Sequence, residues 1–188
     1  AIMDAMIVTG VTPRMIGALT FGIVTEVFGY DRTDIGLPNF DFAIVPAEEG
    51  PIRTRYGATI QLDGDFSRID ESDLVLVMPW EDFSQPPAEY LDALRRAYDR
   101  GATLMGFCSG TFVLAEAGLL DGRKATTHWQ NSEYIARAFP QVTIDADVLS
   151  VDLVQRCLAE QLALHHQRQI ADPGLHPYNV VVAQHGAI

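Results

Sequence analysis

Apolar runs of strand length alternate along this chain with stretches of helical periodicity. That alternation predicts an α/β fold around a mostly parallel sheet. Residues 72–80, SDLVLVMPW, form the clearest central strand, an almost unbroken apolar run closed by proline. FDFAIVPA (40–47) and ATLMGF (102–107) read as further strands, and KATTHW (124–129) as a short one. RYGATIQLDG (55–64) contains another extended stretch, turning at Asp63-Gly64. Helical spacing covers ALTFGIVTEVFG (18–29), which ends at Gly29, and TFVLAEAGLL (111–120). In 86–101, prolines open a helix, Leu91, Leu94 and Tyr98 share a face, and Gly101 ends it. NSEYIARAFP (131–140) offers Asn131 or Ser132 as N-cap and stops before proline. From Leu153 the tail begins as a helix and then loses its periodicity.

The chain has 188 residues, 48% of them hydrophobic and 20% charged, which suits one globular domain spanning 1–188 with a sizeable core. Twenty-five acidic against 13 basic residues give a formal net charge of −12. Basic residues cluster only as pairs such as Arg95-Arg96 and Arg123-Lys124, so no direct grip on nucleic acid is expected of this chain. Cys108 and Cys157 are the only cysteines, too few for a disulfide framework, and a reducing cytoplasm is the expected compartment. The N-terminal segment has no basic stretch followed by an apolar one, so no signal peptide is read there. No apolar run approaches the roughly 20 residues that span a bilayer. His165, His166, His176 and His185 lack metal-ligand spacing, and neither a metal nor another cofactor is expected.

The segment GFCSGTFVLAEAGLLDG (106–122) runs from a strand through Cys108 into a helix. Strand–turn–helix is the context of a nucleophile elbow. The turn thrusts the side chain out of the sheet, and N–H groups of the following helix favour the thiolate. Small Gly106, Ser109 and Gly110 permit the tight turn and close approach of a ligand. A buried structural cysteine is the alternative, and it is the reading for Cys157 among Leu153, Leu158 and Leu162. A thiol nucleophile needs a base. His128 ends the next strand, and adjacent parallel strands deliver such residues to one carboxyl edge of a sheet. Its alternative is a structural histidine beside Trp129.

The block GFCSGTFVLAEAGLLDGRKATTHW, with SDLVLVMPW before it, resembles the ThiJ/PfpI branch of the class I glutamine amidotransferase-like superfamily. EEGPIRTRYGATIQLD (48–63), MPWED (78–82) and VTIDADVLSVD (142–152) are similar to the amidotransferase-like N-terminal domain of AraC-type transcription regulators. The resemblance covers about residues 18–152. It implies a flavodoxin-like three-layer α/β sandwich, commonly dimeric, with a nucleophile-elbow cysteine and a pocket beside it. Cys108 matches the elbow cysteine and His128 the histidine of the TTH motif. Ser109 and Trp80 would supply backbone donors to an oxyanion, Gly110 lies in the same turn, and Trp80 would narrow the pocket or lid the core.

Three departures bear on activity. The helix position where enzymes of this family carry a carboxylate falls on Thr20. Glu26, further along, matches another acidic position and either orients His128 or is an ordinary polar residue. No late histidine is followed two residues on by glutamate, so glutaminase activity is not expected. After Asp152 the chain lacks the small-residue turn of the family, and the regulators' helix-turn-helix arm is not part of this sequence. The resemblance therefore implies a ligand-sensing, homodimeric domain that reaches DNA through a separate C-terminal module, its small-molecule ligand unnamed and no membrane involved. The alternatives are a cysteine enzyme of the isonitrile hydratase type, with Cys108 attacking an electrophilic carbon, or a thiol redox sensor.

Overall fold

In the computed structural model the described residues are 5–145 and the backbone of 180–183. The expected helical tail from Leu153 lies outside them. The main sheet is built from β1 (Met6–Thr12), β3 (Phe40–Pro46), β6 (Leu74–Val77), β7 (Thr103–Phe107) and β10 (Val180–Ala183), in the spatial order β10-β7-β6-β1-β3. Every pairing in it is parallel. Counted along the chain these strands stand in the order 2-1-3-4-5, the flavodoxin-like arrangement. The chain leaves β1 for one edge and returns to its other side with β6. The order of strand addition therefore reverses between β1 and β6, which opens a switch point at their carboxyl ends.

Helix α1 (Ala18–Phe28) covers one face of the sheet, and α2 (Ala88–Arg100) and α3 (Gly110–Glu116) the other. The alternation along β6 shows why its apolar run is unbroken. Leu74 and Leu76 pack with Val24 and Phe28 of α1, while Val75 and Val77 pack with Leu94 of α2 and Val113 of α3. All four β6 side chains are fully buried. Each such burial contributes roughly 1.5–3 kcal/mol.

Several sequence expectations change. The apolar pattern passes over β1, yet β1 lies between β6 and β3 inside the sheet. Its run is interrupted by Thr9, Gly10 and Thr12. Ser72 Oγ donates to Thr9 Oγ1 at 2.7 Å, satisfying that buried hydroxyl, and a side chain at Gly10 would stand 2.9 Å from Met78 Cε. The extended stretch at 55–64 is the second arm of a hairpin, β5 (Thr59–Ile60), antiparallel to β4 (Ile52–Thr54), which in turn pairs with β2 (Met15–Ile16). KATTHW contains only the two-residue β8 (Lys124–Ala125), paired with β9 (Thr143–Ile144) outside the main sheet. On the side of β7 away from β6 the neighbour is β10. Helix α4 (Ser132–Ala138) has Asn131 at its N-cap without a side-chain capping bond, because a 3-10 turn, Trp129–Asn131, leads directly into it.

Candidate functional site

Cys108 sits between the end of β7 and the start of α3, its backbone at φ +52°. A left-handed conformation costs a side-chain-bearing residue roughly 1–2 kcal/mol. Two buried threonines hold it there. Thr111 Oγ1 lies 3.0 Å from the Cys108 carbonyl oxygen and 2.8 Å from that of Thr126, and its single proton is shared between them. Thr127 Oγ1 donates to the same Cys108 carbonyl at 3.2 Å. The glycines of the motif have separate steric jobs. A Cβ at Gly110 would lie 2.4 Å from the Val77 carbonyl oxygen, so α3 approaches the end of β6 only because that atom is missing. A Cβ at Gly106 would meet Leu114 Cδ1 at 2.9 Å. Ser109 and Gly110 are both buried in this turn.

The Cys108 thiol is half-buried. Desolvation pushes its pKa above the ordinary thiol value; the Ser109 N–H opposes that shift, and the negative charge of Glu81 adds to it. Glu81 lies within MPWED, where no local signal in the sequence marks it as a site residue. It follows β6, and β6 ends beside β7, so its carboxylate comes to the edge where Cys108 stands. Arg55, from the hairpin between β4 and β5, fixes it: Nε donates to Glu81 Oε2 at 2.9 Å, and Nη2 donates to the same oxygen. The other oxygen, Oε1, is 3.8 Å from where a Cβ at Gly17 would be, at the N-cap of α1. No acidic residue lies in the first turn of α1, so Glu81 brings the negative charge that a helix N-terminus favours.

Of the residues expected at the site, His128 arrives by a different route from the one its sequence position suggests. It is carried by the Thr126–Thr127 segment, whose Thr126 carbonyl accepts from Thr111 Oγ1 and whose Thr127 Oγ1 donates to the Cys108 carbonyl, not by a strand neighbouring β7. Its Nδ1 accepts the Gln130 N–H at 3.2 Å, which leaves the proton of a neutral ring on Nε2. The ring stacks on Trp129 with centroids 5.7 Å apart, and no hydrogen bond joins it to the Cys108 thiol. Glu26 is not brought to His128. It stands on the outer side of α1, 65% exposed, 3.7 Å from Arg32. Trp80 does not narrow a pocket with its ring. The indole is 2% exposed, packs on Tyr90 and donates from Nε1 to the Ser84 carbonyl at 2.8 Å, which makes it part of the core. Thr20 is buried in the first turn of α1 and carries no carboxylate to the site. Among the described residues no group of three His, Cys, Asp or Glu side chains could hold a metal ion.

The sequence profile of the DJ-1/PfpI family matches residues 37–154. The chain belongs to the DJ-1/PfpI family. Among curated relatives of this DJ-1/PfpI chain is the HTH-type transcriptional regulator CdhR of Pseudomonas aeruginosa, 32% identical over 110 residues, which are 58% of this chain and 33% of CdhR. The chain thus spans about a third of that regulator's length. A protein from Vibrio parahaemolyticus described as a transcriptional regulator superposes with a TM-score of 0.66 at 20% identity, over 78% of each chain. Drosophila melanogaster DJ-1beta superposes with a TM-score of 0.64 at 12% identity, over 96% of this chain and 82% of its own. At these identities the two structures show the shared DJ-1/PfpI fold. Among the described residues no helix is long and apolar enough to cross a membrane.

Proposed function

We propose that this DJ-1/PfpI chain is the ligand-sensing domain of an AraC-type transcription regulator, acting on DNA through a separate helix-turn-helix module. The match to CdhR carries the reading. It covers one segment of a longer regulator whose name states a helix-turn-helix mode, and the 188-residue chain has a formal net charge of −12, unsuited to phosphate contact. In this reading the domain works in the cytoplasm as a homodimer, and a ligand bound near the carboxyl edge of the sheet biases how two DNA-binding modules are held. In the same reading Cys108 and His128 would face the ligand, with Ser109 and Gly110 in the turn that carries the cysteine.

Turnover is the less favoured reading. The raised Cys108 pKa keeps the sulfur protonated near neutral pH, and a protonated thiol is a poor nucleophile and slow to oxidise. Electrophoretic mobility shift of the full-length regulator on its operator tests the assignment. Deleting the region outside the DJ-1/PfpI domain is expected to abolish the shift. Specific operator binding by the 188-residue chain alone overturns the proposed division of labour.

A further inference from the structure

A crevice of about 510 Å³ opens at the carboxyl ends of β1 and β6, where the order of strand addition reverses. Ligands of open α/β sheets bind at such points. Arg14 lines it from the end of β1, Glu81 and Asp82 from the end of β6, Glu48 from beyond β3, and Arg55 from the hairpin. The partners of these charges differ. Glu81 is held by Arg55, and Glu48 Oε2 accepts the Arg14 backbone N–H at 3.2 Å. Asp82 Oδ1 accepts the Ser84 N–H at 3.1 Å and its hydroxyl at 2.8 Å. The Arg14 guanidinium has no hydrogen bond or ion pair with any described residue.

That guanidinium is nevertheless placed. Its Nη2, Cζ and Nε lie 3.6, 3.9 and 4.0 Å from where a Cβ of Gly50 would be, so the group lies with one face toward the Gly50 backbone. Gly50 has φ +103°, a conformation that favours glycine in any case. A guanidinium seated by its face keeps its N–H edges for a planar acceptor, and a carboxylate matches that fork.

We propose that this crevice binds a small monocarboxylate whose carboxylate group pairs with Arg14. The three carboxylates around the crevice set the class. Arg55 is already matched by Glu81, so among the described lining residues Arg14 is left to pair with one anionic charge, whereas the second charge of a phosphate dianion has no cation to offset the repulsion of Glu48 and Asp82. Glu81 also faces Cys108, so an occupant of the crevice stands one residue away from the thiol. The proposal rests on the sensing reading and names the chemistry that such a sensor takes.

The test is an amide and arginine-side-chain NMR titration of the 188-residue chain, with sodium butanoate as probe and inorganic phosphate and butylammonium as comparators. Saturable shifts centred on Arg14 Nε–H and the Gly50 amide are expected with butanoate only. Arg14→Gln should weaken binding by about tenfold or more, with Arg14→Lys in between because charge survives without the fork. Arg14 is exposed, and dispersed spectra of both variants will show that they fold. Equal butanoate affinity in wild type and Arg14→Gln, no saturable shift, or tighter binding of phosphate or butylammonium overturns the proposal. The regulator reading fails separately: if butanoate binds this crevice but truncating the longer protein leaves operator binding intact, the site stands and the proposed division of labour falls.

Discussion

Arg55 reaches from the β4–β5 hairpin to hold Glu81 Oε2, its Nε at 2.9 Å, and so positions the carboxylate whose charge is felt by the Cys108 thiol. A pairing between residues 26 positions apart therefore sets part of the reactivity of a third residue. Removing the carboxylate relieves one of the two causes that push the thiol pKa up. At fixed pH near 8, Glu81→Gln should alkylate at Cys108 about two- to fivefold faster with iodoacetamide, since the thiolate fraction rises as the pKa falls. Arg55→Ala leaves the negative charge uncompensated and should slow the reaction. In wild type the rate should climb with pH to a midpoint above the ordinary thiol range. Mass spectrometry of the time course reads all three, and a slower Glu81→Gln would show that its charge does not act on the sulfur.

The steric roles of the two glycines flanking the cysteine turn should separate in stability. Gly110→Ala forces a methyl within 2.4 Å of the Val77 carbonyl oxygen, a backbone atom that cannot step aside. A loss of about 2–3 kcal/mol or outright failure to fold is expected. Gly106→Ala meets the end of the Leu114 side chain, which can rotate, and should cost less. Urea unfolding of the two variants gives the order directly.

The left-handed backbone at Cys108 makes a comparison of two truncations informative. Both Cys108→Ala and Cys108→Gly remove the sulfur, but only glycine is at ease near φ +52°. The glycine variant should therefore be the more stable of the pair by about 1 kcal/mol. The reverse order, measured by thermal or chemical unfolding, would mean that the turn relaxes once the thiol is gone.

Thr127→Val and Thr111→Val each take a hydroxyl donor from the Cys108 carbonyl at nearly constant volume. Thr127→Val should cost roughly 1 kcal/mol. Thr111→Val should cost more, because the Thr126 carbonyl loses its donor as well. Both variants should also alter the rate of Cys108 alkylation, which a purely remote packing change would leave alone.

Much of the frame is legible in the residues. The apolar run of β6 announces a strand buried on two faces, and the prolines before Ala88 with Gly101 after Arg100 bracket α2 closely. GFCSG marks the turn by its small residues, and Cys108 stands in that turn with φ +52°. Strand β1 is illegible because its polar and glycine positions are compensated by distant partners, Ser72 and Met78, that a local window cannot see. The same limit governs the site residues. Glu26 has the right residue type but an outward position on α1, whereas Glu81 has the charge and the place without any local signal.

The sequence by itself determined the alternation of strands and helices, the acidic character and the cysteine turn, because each follows from local spacing, composition and backbone preference. Only the tertiary structure decided that β1 lies inside the sheet, that Trp80 belongs to the core, and that Glu81, held by Arg55, acts on the Cys108 thiol while the Arg14 guanidinium has no partner among the described residues. Those outcomes depend on which strand ends become neighbours. That is settled by packing both faces of the sheet at once, and no short stretch of chain carries the information.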